Sequence, residues 1–162
     1  MVYIRLKQII DENFQDYKKP SMLLATCKCD WKCLIEQGLD ISICQNSELI
    51  KQKNINISVS SIINRYINNP ITSAIIIAGL EPILQFNEVV EFINEFRYVS
   101  DDDIVIFTGY YPEEIEKQIE ELKKYKNIIM KFGRYKHESN KIYDKILGVW
   151  LISDNQYAEK IS

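Results

Sequence analysis

Residues 21–47 read SMLLATCKCDWKCLIEQGLDISICQNS, and the reading of this stretch decides the fold. It opens as an apolar run of strand length, Ser21 to Thr26, and passes directly into a loop holding every cysteine of the chain: Cys27, Cys29, Cys33 and Cys44. Thiolates are soft ligands that select zinc or iron–sulfur clusters, so cysteines gathered behind a strand point to a metal centre. Successive side chains on an extended chain alternate. Cys27 and Cys29 then face the same side, and Cys27 is within reach of the same metal.

Outward from this stretch the same grammar repeats. Apolar, β-branched runs recur at TSAIIIA (72–78), DIVIFT (103–108), NIIMKF (127–132) and GVWLIS (148–153), with VYIRL near the start as a further candidate. Helical stripes lie between them: Val59, Ile62, Ile63, Tyr66 and Ile67 behind a serine-rich cap, then Val89, Phe92, Ile93 and Phe96, then Ile115, Ile119 and Leu122. Strands alternating with helices predict an α/β fold with a mostly parallel sheet, which binds ligands at the carboxyl ends of its strands whether it closes into a barrel or stays open. The cysteine loop, Gly79-Leu80-Glu81-Pro82, Gly109-Tyr110-Tyr111-Pro112, Gly133-Arg134 and Asp154-Asn155 each follow one of these runs, so they are expected on one rim.

Composition bounds the rest. With 162 residues, 46% of them hydrophobic, the chain has material for one core, read as a single domain over 1–162 with a cluster loop at 27–46. No apolar run reaches membrane-spanning length, and the opening MVYIRLKQIIDENF carries acidic residues where a signal peptide needs an unbroken apolar stretch. A cytoplasmic protein with no membrane association is expected, and in a reducing compartment clustered cysteines serve a metal rather than disulfides. A net charge of −3 gives no general attraction to nucleic acid. Lys123, Lys124, Lys126, Lys131, Arg134, Lys136 and Lys141 make the last third locally basic, as a solvated face or as a dock for an acidic partner.

Four motifs in order carry a family resemblance. Cys29, Cys33 and Cys44, followed by Gln45-Asn46-Ser47, resemble the cysteine triad and tail of the radical S-adenosylmethionine proteins, most closely the short activating enzymes of anaerobic ribonucleotide reductase. AGLEPILQ (78–85) resembles their Gly-Gly-Glu-Pro loop, FTGYYPEEIE (107–116) their Thr-Gly-Tyr before a glutamate-led helix, and IIMKFGRYK (128–136) their strand ending in Gly-Arg and an aromatic. Two departures stand out. Ten residues, Leu34 to Ile43, separate Cys33 from Cys44 where the family has two, so the loop must bulge outward; closure cost grows only as the logarithm of length. Leu80 replaces the second glycine, which predicts ordinary backbone geometry there and contacts through main-chain groups of Ala78, Gly79 and Leu80.

The resemblance implies a short, partial radical SAM βα barrel with helices on the outside. It implies a 4Fe–4S cluster on Cys29, Cys33 and Cys44, with one iron left open for S-adenosylmethionine. By position the Gly79 loop receives the methionine amino group with Glu81 as its anchor, Thr108 and Tyr110 face the nucleoside, and Ile43 and Gln45 flank the cofactor. Leu34, Trp31 and Ile43 are alternatives beside the adenine. Arg134 is a candidate for the cofactor carboxylate or, equally, a surface or partner contact. The implied partners are the catalytic subunit of the reductase, on which a glycyl radical is made, and a reduced electron donor such as a flavodoxin. Cys27 is either a bystander thiol or an extra ligand. If all four cysteines closed around zinc, the chain would instead be a binding module; a radical enzyme acting on another peptide or a small molecule is the other alternative. Trp31 and His137 read more simply as loop packing and as a surface residue.

Overall fold

The computed structural model describes all 162 residues. In chain order the elements are β1 (Tyr3–Asn13), β2 (Ser21–Thr26), α1 (Lys32–Ile35), α2 (Ser47–Ile50), β3 (Ile55–Ser58), α3 (Val59–Ile67), β4 (Ala74–Gly79), α4 (Phe86–Arg97), β5 (Asp103–Phe107), α5 (Glu116–Leu122), β6 (Ile128–Phe132), β7 (Ile142–Asp144), β8 (Val149–Leu151) and β9 (Tyr157–Lys160). Tight 3-10 turns at Ile41–Ile43, Pro82–Gln85 and Pro112–Glu114 complete them. No helix is long and apolar enough to cross a membrane.

Seven strands form one mixed sheet in the order β3-β1-β2-β4-β5-β6-β9. The four central strands, β2, β4, β5 and β6, are parallel, while β1, β3 and β9 join antiparallel at the edges. The central strands are apolar on both faces because both are covered. Ile75, Ile77, Ile104, Ile106, Ile128 and Met130 point one way, into a core of 23 buried residues shared with the stripes of α3, α4 and α5. The α3 stripe is launched by Ser58, whose hydroxyl accepts from Ser61 N at 3.3 Å. Phe96 closes this core, stacked on Phe92 and edge-on to Tyr66 at 5.8 and 5.1 Å.

The opposite face is covered less completely. Ala74, Ile76, Ala78, Val105 and Ile129 form a smaller cluster of nine with Tyr17, Leu147, Leu151 and Ala158, against which partly buried Leu23, Phe107 and Val149 pack. Ala25, Ala78 and Gly79 are small and lie on this side at the strand ends, so space remains above them. All three larger helices therefore share one face, and a cavity occupies the other.

The α/β class, the parallel centre and the three helices match the sequence reading. GVWLIS does not: Val149–Leu151 leaves the main sheet and pairs with Ile142–Asp144 in a separate hairpin, and β9 takes the edge of the sheet instead. Trp150 is 67% exposed between partly buried Val149 and buried Leu151, the alternation of a half-covered ribbon rather than of a central strand. Asn155 still reaches the rim, where its Nδ2 donates to Arg134 O at 2.8 Å.

Candidate metal centre

The cysteine loop is built as a continuation of β2. Thr26 Oγ1 donates to Ala78 O at 2.9 Å, Leu80 N to Thr26 O at 3.3 Å and Glu81 N to Lys28 O at 2.7 Å, so the loops after β2 and β4 are laced together past the sheet. Trp31, in the left-handed region at φ 58°, then turns the chain into α1. Two N–H groups point at sulfur: Trp31 N at Cys29 Sγ (3.3 Å) and Asn46 N at Cys44 Sγ (3.4 Å). Such donors favour the thiolate.

Cys29, Cys33 and Cys44 line one cavity of about 680 Å³, whose wall also contains Ala78, Gly79, Leu80, Glu81, Thr108, Tyr110, Arg134 and Gln45. Burial pushes the Cys29 thiol up to about 12, and burial together with Cys44 raises that of Cys33. Metal binding to thiols is coupled to release of their protons.

Cys27 is not on this wall. Its N–H donates to Gln85 Oε1 at 2.8 Å and its Sγ lies 3.3 Å from the same oxygen, while Gln85 Nε2 donates to Arg5 O at 2.9 Å. The alternation that set Cys27 beside Cys29 fails because β2 ends at Thr26 and the chain beyond it is no longer a regular strand.

The ten-residue insertion is compact. Leu34 is fully buried as its anchor, Gly38 at φ 64° ends the helical turn with Leu39 N bonded to Leu34 O, and the Ile41–Ile43 turn is capped by Asp40, whose Oδ1 accepts from Ser42 N at 2.9 Å. This returns Cys44 to the cavity. Asn46 Nδ2 then donates to Gly79 O at 2.7 Å.

Gly79, at φ 91°, carries the positive dihedral of its loop, and Leu80 has ordinary geometry, as its side chain requires. Glu81 is the pin between two strand ends: Oε1 accepts from Ile83 N (3.1 Å) and Thr108 Oγ1 (2.9 Å), and Oε2 from Gly109 N (2.9 Å). Burial raises its pKa, and these three donors pull against that rise. Tyr110 OH donates to Asp30, which ties the loop after β5 to the cysteine loop.

Arg134 is heavily engaged. Nη1 donates to Glu114 Oε2 at 2.7 Å, Nε makes a 2.7 Å charge contact with Glu36 Oε2 that is not an aligned hydrogen bond, and the guanidinium lies over the Tyr111 ring. The Arg134 hydrogen bond, then Tyr111 N and Lys32, hold the Glu114 carboxyl at about 2, well below its ordinary 4.5. A carboxyl depressed by folding stabilises above its unfolded pKa and loses that contribution as pH falls through the folded value. Acid titration of the unfolding midpoint should therefore separate wild type from Glu114→Gln at neutral pH, with the gap closing between pH 4.5 and about 2. A gap that persists unchanged at pH 2 would remove Glu114 as its source.

Of the residues singled out by sequence, Ile43, Trp31 and Leu34 do not line the cavity. Lys131, Phe107, Gln156 and Trp150 do, and sequence reasoning assigned none of them to the site. Lys131 had a signal: it is the one charge inside an apolar strand, on the Ile129 face. It is 9% exposed, lies over the Phe107 ring with Gly133 O at 3.4 Å, forms no ion pair, and burial lowers its pKa to about 8.

The model of the 4Fe–4S single cluster domain family matches residues 23–157, a span that takes in β4, β5, β6, most of β2 and every rim loop, and the chain belongs to this family. No curated protein matches the chain significantly. The donor set fits such a group. No three of the His, Cys, Asp and Glu side chains converge as they would on a single ion, whereas three thiols spread over the wall of a cavity suit the larger body of a cluster, and two of them already receive N–H bonds.

Proposed function

We propose, from membership of the 4Fe–4S single cluster domain family, that the chain is a radical S-adenosylmethionine enzyme that installs a glycyl radical on anaerobic ribonucleotide reductase. The observation that carries this reading is the division of the cysteines: Cys29, Cys33 and Cys44 share a cavity with the Gly79–Glu81 loop, while Cys27 is turned to Gln85. Cys29, Cys33 and Cys44 would hold the cluster on the cavity wall, beside the Gly79–Glu81 loop that would take the small-molecule cofactor. When bound, such a cluster would supply one-electron reduction, the chemistry that reductive cleavage of the S-adenosylmethionine sulfonium calls for.

The protein's part is to bind, orient and exclude water. The Gly79 loop brings main-chain groups to the cavity without side-chain bulk, and Thr108 and Tyr110 are fixed through Glu81 and Asp30 on the side assigned to the nucleoside. Arg134 is neutralised by two glutamates, so the cofactor carboxylate falls to Lys131, the cavity cation with no carboxylate in ion-pair contact. The sheet, open at β3 and β9 with its helices on one face, reads as a partial barrel whose other face the substrate protein covers. Trp150 and Tyr143, an exposed aromatic pair on the hairpin, stand ready for that partner.

The test is anaerobic. Reconstituted protein with a chemical reductant or reduced flavodoxin should turn S-adenosylmethionine into 5′-deoxyadenosine, and addition of the reductase subunit should produce a glycyl radical signal. A colourless protein with stoichiometric zinc overturns the reading. Cofactor cleavage without a radical on the reductase moves the target to another peptide or a small molecule.

A further inference from the structure

Gln37 lies in the insertion, four residues after Cys33, and its side-chain amide is fully used despite its exposure. Nε2 donates to Cys33 O at 2.6 Å and to Tyr135 O at 2.7 Å, and Oε1 accepts from His137 N at 2.9 Å. One side chain thus joins the backbone of a cluster-loop cysteine to the segment beyond β6, about a hundred residues away in sequence. The Glu36 to Arg134 contact runs alongside it.

The surroundings explain why such a brace is needed. Cys33 sits on α1, a helix of four residues. A single helical turn does not hold itself in water, because its nucleation cost is not repaid within so few hydrogen bonds. Leu34 anchors one side of that turn in the core, and the other side, toward the insertion, has Gln37. Only an uncharged amide serves here: two carbonyls need donors and one N–H needs an acceptor. Glutamate has no donor, and lysine or arginine has no acceptor.

We propose that Gln37 is a positioning residue: it holds the Cys33 carbonyl against the loop after β6, and so fixes Cys33 and the start of the insertion in the geometry that retains the cluster. This rests on the reading above that Cys33 ligates the cluster. Gln37 is one of the ten residues between Cys33 and Cys44, so the insertion itself supplies the side chain that reaches the segment beyond β6.

The experiment compares wild type, Gln37→Glu, Gln37→Met and, as a control on the exposed face of α4, Asn94→Ala. Each is reconstituted anaerobically and challenged with excess iron chelator, while visible absorption and the EPR spectrum of the reduced cluster are followed; thermal unfolding of each apo-protein is measured in parallel. Loss of two braces of ordinary strength corresponds to iron release on the order of tenfold faster in Gln37→Glu, where a carboxylate faces two carbonyls. Gln37→Met should fall between, and Asn94→Ala should match wild type. Apo-protein melting should be unchanged and the EPR lines of the glutamate variant broadened. Release at the wild-type rate overturns the inference, as does a fall in apo-protein stability that tracks the iron loss. Should the glutamate variant not fold, the methionine variant carries the comparison. A wild-type chain that takes up no cluster overturns the function proposed above, whereas a wild type that holds its cluster beside an equally retentive Gln37→Glu overturns only this role.

Discussion

Cys29→Ser, Cys33→Ser and Cys44→Ser are each expected to abolish stable cluster binding, while Cys27→Ala keeps four irons per chain. Cys29, Cys33 and Cys44 share one cavity wall, so on the function proposed above removal of any one thiol leaves two of the three ligands that the reading calls for. Changes to groups that merely support a ligand cost about 10–100-fold in metal affinity, so loss of a ligand itself should lower iron content at least that far. Cys27 has a different set of neighbours. Its sulfur and its N–H share Gln85 Oε1, and alanine retains the N–H bond, leaving the glutamine tied to both Cys27 and Arg5. Iron and sulfide assays after anaerobic reconstitution, with the visible spectrum, decide the matter. Iron lost with Cys27, or kept without Cys33 or Cys44, would mean that the cavity assignment is wrong. The insertion makes Cys44 the sharpest of the four tests, because its return to the cavity depends on ten intervening residues folding as a turn of helix, a glycine stop at Gly38 and a capped 3-10 turn.

Much of this site is legible in the amino-acid sequence because the central strands are buried on both faces and so read as unbroken apolar runs, with their glycines and acids displaced to the ends. That logic locates the loops after β2, β4, β5 and β6. It fails where burial is partial. GVWLIS is apolar enough for a central strand, yet Trp150 is turned outward on a hairpin that the local sequence does not distinguish from the sheet. The four residues of β9, Tyr157–Lys160, alternate too briefly, with two of them exposed, to announce an edge strand. Long-range polar contacts leave no local trace. Gln37 finds Tyr135 and His137, Arg134 finds Glu36 and Glu114, and Cys27 finds Gln85 only once the fold has joined distant segments. Lys131 is the exception, since a cation inside an apolar strand must have a reason to be buried.

The second large effect is expected at Gly79. A Cβ built there would lie 2.7 Å from Ala25 Cα and Thr26 N and 2.8 Å from Ala25 C, and all three are backbone atoms of β2, which cannot rotate aside as a side chain does. They are held by the parallel register in which Thr26 pairs with Gly79 and Ala25 with Ala78, so relief of the clash requires the strand ends to separate. The φ of 91° adds a conformational penalty for any residue with a Cβ. Overpacking costs roughly 1–3 kcal/mol and a sparsely populated backbone conformation about the same again, so Gly79→Ala should lose on the order of 4 kcal/mol. For a chain of this size that is a fall in melting temperature of roughly 10 °C. Gly38 provides the internal comparison: its φ is 64°, but nothing lies within 4 Å of its would-be Cβ, so Gly38→Ala should show the backbone penalty alone, about 1 kcal/mol. Denaturant unfolding of the two apo-proteins separates clash from strain. Equal losses would show that the strand ends part easily. In that case the lacing of Thr26, Lys28 and Asn46 to the Gly79–Glu81 loop would not be what holds the cysteine loop over the sheet.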